Sequence, residues 1–289
     1  KRVKEYRFGP GPSTVANTGV APNGRFFAAV NHGRNSWREV VSYAGAVDET
    51  LDATANSTTE GLFKVDIGTG KRTVIISYEA LVTSLASLRF AVDPAYPLSI
   101  HRTCWNRDSN RINFIVRGAG GGPNNRPAKW SGVEFVIRTD GTNLVQIPSP
   151  RHPEWLEGSV ITCENKKGWL DLYNVDTESY TGDKIGSKNT FKDTGADRAY
   201  SPDGKWIVCT YKSNGFWHYQ FYRFSDGAVY TATTTLTLEG ADPKTKATRI
   251  DGAPRWNRTS DAILIGGIVT ENNPSKGTRQ MAIIRLVSL

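Results

Sequence analysis

The run Ala199-Tyr-Ser-Pro-Asp-Gly-Lys-Trp-Ile-Val-Cys-Thr-Tyr211 has the pattern of a short strand, a polar tight turn and a second, apolar strand. The pattern recurs along the chain, and a repeat of about 40 to 50 residues indicates a propeller or another repeat architecture. Four further segments align with it, one of them a residue shorter: 19–31 (GVAPNGRFFAAVN), 104–116 (CWNRDSNRINFIV), 154–165 (EWLEGSVITCEN) and 255–267 (RWNRTSDAILIGG).

A second apolar segment follows each copy, and four short antiparallel strands make one propeller blade. The sequence therefore predicts an all-β protein, a β-propeller of four-stranded antiparallel blades, with five units in a single domain over 1–289. An insertion at 35–60 and a helix near 78–88 lengthen the first unit. The second segments are 61–76, 132–147, 168–183, 219–234 and 279–289, and the units are predicted near 17–95, 96–149, 150–193, 194–249 and 250–289.

The charge balance suits an anionic partner. The chain has 36 Lys and Arg against 28 Asp and Glu, a net charge of +8, although solubility alone is an equally good explanation. Because the basic residues are spread evenly, without a Lys/Arg-rich run, nucleic acid is not expected as a partner. A membrane span is not expected either, since no apolar run approaches the roughly 20 residues that a spanning helix needs. The opening residues KRVKEYRFGP lack the pattern of a secretory signal.

The repeat alignment also explains the cysteines and the glycine-rich segments. One position of the repeat alignment, near the end of the second strand, is occupied in every unit by an apolar residue or a cysteine. Because free cysteine behaves as a small hydrophobic residue, Cys163 and Cys209 are predicted to be buried core thiols. The segments 118–122 (GAGGG) and 68–71 (GTGK) lack the context of a phosphate-binding loop and are interpreted as loops. The apolar column is Ala29, Phe114, Cys163, Cys209 and Ile265.

Polar residues gather at the end of each first strand, where a propeller places its binding surface. In the repeat alignment, the position three residues before the aromatic residue of each first strand is mostly polar. Two of the four histidines lie at this position or directly beside it. For any single member, a satisfied hydrogen bond or a solvated wall is the simpler explanation, so the convergence is what indicates a site. The column is Asn17, Arg102, His152, Asp197 and Ala253, with His101, Arg151, Arg198, Asp251 and Arg255 close by.

Several more specific segments occur in a fixed order along nearly the whole chain. They are 31–34 (NHGR), 38–45 (REVVSYAG), 60–71 (EGLFKVDIGTGK), His101 ahead of 105–108 (WNRD), 151–155 (RHPEW), 200–206 (YSPDGKW), 249–256 (RIDGAPRW) and 278–281 (TRQM). Together they resemble the propeller polysaccharide lyases of the oligogalacturonate lyase and ulvan lyase kind.

That resemblance implies a secreted or periplasmic enzyme that cleaves a uronic-acid-containing anionic polysaccharide, ulvan-like, by β-elimination. Such a reaction needs a base, a proton donor and a positive charge for the uronate carboxylate. The catalytic candidates are His32, Tyr43, His101, His152 and Tyr200, and the substrate-binding candidates are Asn31, Arg34, Arg38, Arg102, Arg151 and Arg255.

The chain departs from the family in two respects. Family members commonly begin with further blades, so the five units are expected to be either a closed set or the later part of a seven-bladed propeller. The family also often has histidine in successive blades at the column where Arg102, Asp197 and Ala253 stand here. Arginine is therefore expected to neutralise the carboxylate. No cofactor is required, and a divalent metal remains the alternative.

Two other functions stay open. A catalytically inactive propeller would bind polysaccharide or protein through the same surface, and a TolB-like interaction scaffold would share only the generic Pro-Asp-Gly turns. A fold does not decide between these, because propellers carry many unrelated functions.

We expect Tyr43→Phe to abolish polysaccharide cleavage and to leave the fold intact, because only the phenolic oxygen is removed. Release of unsaturated uronate, followed by its ultraviolet absorbance, measures the effect, and circular dichroism checks the fold. Unchanged turnover in a folded variant would exclude Tyr43 from the site.

Overall fold

The computed structural model describes residues 15–31, 57–92, 98–121, 132–149, 151–237, 252–269 and 278–287. It is all-β, a β-propeller of five blades built from four-stranded antiparallel sheets, as the repeats predict. Two compact units divide the chain. The first comprises Lys1–Pro150 with Glu157–Ser159, and the second comprises Arg151–Leu156 with Val160–Leu289.

The first unit contains blades 1 and 2. The predicted helix is confirmed as α1 (Tyr78–Ser87), which begins where the Ser77 hydroxyl accepts a hydrogen bond from the Ala80 amide. Blade 1 has β1 (Val15–Val20), β2 (Phe26–Asn31), β3 (Gly61–Asp66) and β4 (Arg72–Ser77), and blade 2 has β6 (Ser99–Trp105), β7 (Arg111–Arg117), β9 (Gly132–Arg138) and β10 (Val145–Ile147).

One prediction for this unit was wrong. The glycine-rich segment 118–122 was interpreted as a loop, but β8 (Ala119–Gly121) pairs with β5 (Phe90–Val92) in a small two-stranded sheet. Backbone pairing across this ladder needs no side chain, so the three small residues can form a strand without β propensity. The segment 68–71 does join β3 to β4 as a turn, as expected.

The second unit contains blades 3, 4 and 5. In the described residues blade 5 shows three strands, and a single bridge between Thr237 and Ile268 links it to blade 4. Blade 3 has β11 (Glu154–Glu157), β12 (Val160–Glu164), β13 (Leu170–Asn174) and β14 (Ser179–Ile185); blade 4 has β15 (Arg198–Tyr200), β16 (Trp206–Ser213), β17 (Phe216–Arg223) and β18 (Val229–Thr237); blade 5 has β19 (Arg255–Trp256), β20 (Ala262–Val269) and β21 (Thr278–Arg285).

The apolar column predicted from the repeat alignment lies in the core of every blade. All of its members are at most 2% exposed, and Cys163 and Cys209 are buried, as predicted. The burial of small and large residues at one position is explained by packing between neighbouring sheets, since each blade fills the space that its neighbour leaves.

A repeated hydrogen-bond pattern ties one blade to the next within each unit. The Trp105 indole donates to the Gly19 carbonyl at 2.9 Å, and the Ser109 hydroxyl accepts from the Asn23 amide at 3.0 Å. In the second unit, the Trp256 indole donates to the Ala199 carbonyl at 3.0 Å. The Ser260 hydroxyl likewise accepts from the Asp203 amide at 3.0 Å.

These contacts come from two copies of one hexapeptide, Trp-Asn-Arg-Asp-Ser-Asn at 105–110 and Trp-Asn-Arg-Thr-Ser-Asp at 256–261. In both copies the asparagine side chain accepts from two amides of its own turn, and the serine adopts a left-handed conformation with φ of 60°. That conformation is uncommon for a residue other than glycine. Both copies therefore bind the inner strand and the turn of the preceding blade in the same way.

We expect Ser260→Ala to lower the free energy of unfolding by about 1 to 2 kcal/mol, because the partly buried Asp203 amide would lose its acceptor. Urea unfolding measures the change. Ser225→Ala, at an exposed serine with no such contact, is the matched control and should stay within about 0.5 kcal/mol of the parent. Equal stability of the two variants would contradict the role given to the Ser260 hydroxyl.

Candidate functional site

The strongest cluster of predicted site residues lies where blades 3 and 4 begin. Arg151 and His152 precede β11, and Asp197 precedes β15. His152 Nδ1 lies 3.3 Å from Asp197 Oδ1, within ion-pair distance, although the two atoms are not aligned for a hydrogen bond. The His152 side chain is 34% exposed and that of Asp197 is 18% exposed. His152 is therefore a partly exposed imidazole whose Nδ1 lies beside the Asp197 carboxylate.

The backbone around this pair is held in an unusual conformation. His152 has a φ of 46°, in the left-handed region that non-glycine residues seldom adopt. The Asp197 carbonyl accepts from both the amide and the hydroxyl of Thr210, at 3.0 and 3.1 Å. Such conformations persist only where the surroundings determine them, and they are often found at functional sites.

Arg151 lies beside the His152 pair and is open to solvent. Its side chain is 56% exposed, and its guanidinium is 3.7 Å from the Glu164 carboxylate and 3.9 Å from that of Asp193. A Cβ atom at Gly195 would come within 2.5 Å of the Arg151 guanidinium carbon, so only glycine leaves room for this placement. The two carboxylates orient the guanidinium, but they also compete with any acidic ligand for it.

Two further polar side chains lie below this surface, on β15. Arg198 is only 1% exposed, and its Nη2 donates to the Arg151 carbonyl at 3.3 Å. The Tyr200 hydroxyl is also buried, and the Tyr200 ring stacks on Phe224 with ring centroids 6.1 Å apart. Arg198 thus fixes the backbone directly before His152, while Tyr200 packs into the core of blade 4.

Burial decides the protonation of the groups below the surface. It raises the pKa of Tyr200 well above its usual value of 10.0, although the nearby Thr162 hydroxyl and the charge of Arg198 act in the opposite direction. Tyr200 therefore stays protonated at neutral pH, and its hydroxyl is a weaker acid than an ordinary phenol. Burial likewise raises the pKa of the Cys209 thiol to about 12, despite the charge of Arg198.

The remaining candidates are placed elsewhere or lie outside the described part of the chain. Asn31 ends β2 and is 3% exposed, and Arg102 lies in β6 with a φ of 52°. Arg255 begins β19, is exposed, and donates to the Pro254 carbonyl at 2.9 Å. His101 belongs to β6, but its side chain is outside the description. His32, Arg34, Arg38 and Tyr43 lie outside the described residues.

The described residues include no group suited to a metal ion. Among them, no three His, Cys, Asp or Glu side chains come close enough together to hold one. In the same part of the chain, none of the helices is both long enough and apolar enough to cross a bilayer.

Sequence reasoning identified Arg151 and His152 but did not include their partners among the site residues. Asp197 stands in the polar column, and Arg198 follows it, so the column was the available signal. The burial of Arg198 could not have been anticipated, because arginine is almost never fully buried without a partner. The roles of Glu164 and Asp193 depend on contacts between segments far apart in sequence, and no local pattern marks them.

Comparisons with known proteins give the fold and no family. No protein-family model matches the chain, and no curated protein matches it. Among solved structures, TolB from Acinetobacter baumannii is similar over 93% of this chain and 51% of its own length, with 13% identity and a TM-score of 0.51. The putative TolB from Agrobacterium tumefaciens is similar over 95% of this chain and 78% of its own, with 10% identity and a TM-score of 0.48.

The likeness to the Acinetobacter TolB supports the propeller fold. The chain spans about half the length of the Acinetobacter TolB that it matches. At 13% identity the likeness carries no information about activity or partners. The resemblance to polysaccharide lyases is therefore a hypothesis that rests on the sequence segments alone.

We expect the free energy of unfolding to fall as the pH rises above about 9, partly because Cys209 ionises in the unfolded chain at its ordinary pKa of 9.0 but in the native state only near 12. In that interval the unfolded chain binds fewer protons, so stability is lost. Cys209→Ala removes this contribution. The free energy of unfolding of the variant should therefore fall with pH less steeply than that of the parent, by up to about 1.4 kcal/mol per pH unit. Urea unfolding between about pH 9 and 11 measures the slopes.

Ile207→Val is the control for this comparison. Ile207 is fully buried on the same strand and carries no titrating group, so its variant should be less stable at every pH with the parent's slope. If Cys209→Ala kept the parent's slope as well, the thiol would not be the group responsible.

Proposed function

We propose that the chain is a polysaccharide lyase that cleaves a uronic-acid-containing anionic polysaccharide, ulvan-like, by β-elimination. One observation carries the proposal: a partly exposed His152 imidazole lies 3.3 Å from Asp197 and directly follows the exposed Arg151. The resemblance to propeller lyases and the net charge of +8 support the choice of an acidic polymer. A secreted or periplasmic location belongs to the same proposal.

His152 is the proposed base. Asp197 faces Nδ1, which favours the tautomer that carries its proton there and leaves the Nε2 lone pair available. Nε2 would remove the C5 proton of the uronate. The electron pair of the C–H bond forms the C4–C5 double bond, the C4–O bond breaks, and the departing oxygen takes up a proton.

Arg151 is the proposed group for the uronate carboxylate. A proton next to a carboxylate is weakly acidic unless the charge that develops on removal is stabilised. The guanidinium offers a permanent charge and paired N–H donors that match a carboxylate. Its contacts to Glu164 and Asp193, at 3.7 and 3.9 Å, are longer than a strong hydrogen bond, so a substrate carboxylate would have to compete with both.

The departing oxygen needs a proton donor. The Tyr200 hydroxyl is buried, which removes it from contact with a polymer on the surface. Tyr43 remains the proposed donor to the departing oxygen on the strength of the sequence segment 38–45. Its place relative to His152 lies outside the described residues.

A second candidate function is polysaccharide binding without cleavage. The carboxylates of Glu164 and Asp193 beside Arg151 favour it, because they weaken the stabilisation that a developing negative charge would receive. The same surface would still bind an acidic polymer through the net positive charge of the protein.

The test is the ultraviolet absorbance of unsaturated uronate during incubation with ulvan, polygalacturonate, alginate and glycosaminoglycans, each with and without a chelator. We expect absorbance to rise on one polymer, and we expect the chelator to leave it unchanged if arginine neutralises the carboxylate. No rise on any polymer that the folded protein binds would replace the lyase with the binding propeller.

His152→Gln should lower kcat on the cleaved polymer by about 100-fold or more, the usual contribution of a positioned base. His218→Gln is the matched control, because His218 lies on β17, stacks on Tyr211 and contacts Thr233 at 2.9 Å. Its turnover should equal that of the parent. Full activity in a folded His152→Gln variant would remove His152 from the reaction.

A further inference from the structure

The buried guanidinium of Arg198 is the most unusual polar group in the described part of the chain. It is 1% exposed, and its one hydrogen bond there is the donation from Nη2 to the Arg151 carbonyl. The Nε and Nη1 donors are buried and reach no protein acceptor among the described residues. None of the ion pairs within those residues includes Arg198.

No carboxylate in the described part of the chain pairs directly with Arg198, although the charges of Asp193 and Glu154 act on its neighbours Cys209 and Tyr200. Cys209 is its partner across the β15–β16 ladder, and burial raises the pKa of that thiol to about 12, which keeps it neutral. Burial also raises the pKa of Tyr200, so its hydroxyl is uncharged as well. Arginine is always protonated in proteins, and a buried charge is costly unless it is paired.

The geometry of the guanidinium defines what could balance it. The planar group carries five N–H donors arranged along its edges. Nη2 gives one hydrogen to Arg151, and its second hydrogen then forms an edge with the hydrogen of either Nε or Nη1. In both cases one complete edge of two donors stays available. Two convergent N–H groups with a full positive charge suit a single small anion.

We propose that Arg198 holds a small monovalent anion, chloride, in the interior between blades 3 and 4. The anion would accept from the free edge of the guanidinium and bring a negative charge into direct contact with it, which no carboxylate among the described residues does. This site does not depend on the proposed lyase, since it lies below the surface that carries Arg151 and His152.

The proposed anion would also stabilise the segment before β11. Arg198 donates to the carbonyl of Arg151, and the next residue, His152, has the left-handed φ of 46°. An anion that fixes the guanidinium fixes this hydrogen bond with it. Binding to the native state alone raises stability in proportion to the logarithm of the free anion concentration.

The test is thermal unfolding in sodium chloride against sodium gluconate at constant ionic strength, because gluconate is too large for an enclosed site. We expect the Tm of the full chain to rise by about 2 to 4 °C for each tenfold increase in chloride above the dissociation constant. Arg198→Met should lose this rise. Arg223→Met, at the largely exposed Arg223–Asp226 pair, is the matched control and should keep it.

Anomalous diffraction from crystals of the parent protein soaked in bromide decides the matter independently of whether Arg198→Met folds. A bromide peak within hydrogen-bond reach of the Arg198 guanidinium supports the site. A Tm that is the same in chloride and gluconate, or density at the guanidinium without an anomalous signal, would overturn it, because water would then satisfy the free edge.

Discussion

Hydrogen bonds from one blade to the backbone of the blade before it, within each unit, are the constraint on which the described structure depends. The hexapeptides at 105–110 and 256–261 make them in blades 2 and 5, where the indoles of Trp105 and Trp256 each donate to a carbonyl of the preceding inner strand. A sheet face buried against its neighbour leaves little room for sliding, and these bonds set the register of one blade on the next. The turn serines add a second hydrogen bond, so the preceding blade is held both at its inner strand and at its turn.

Blade 4 meets this requirement differently, and the candidate site results from the difference. Tyr200 stands in place of the tryptophan, and the bond to the preceding blade is made by Arg198, which donates to the Arg151 carbonyl. A buried charge two residues earlier on the strand thus makes the bond that a neutral indole makes in blades 2 and 5. The same bond holds the residue that precedes His152, so the contact between blades also orients the imidazole next to Asp197.

Much of the fold could be predicted from the sequence, because the turn-and-strand repeat and the apolar column are local patterns. Ala29, Phe114 and Cys209 were all expected in the core and are buried. The strand at 119–121 was missed, since its stability comes from pairing with a segment almost thirty residues away. The left-handed backbone of Arg102 and His152 has no sequence signal either, because only glycine and asparagine mark such positions with any regularity.

The central claim is that His152 and Arg151 act on one uronate residue. A crystal structure of the His152→Gln variant with a uronic-acid oligosaccharide tests it most directly. The account predicts the uronate carboxylate on the Arg151 guanidinium and the sugar C5 within hydrogen-bond reach of the residue at position 152. An oligosaccharide bound at another surface, with Arg151 still held only by Glu164 and Asp193, would contradict it.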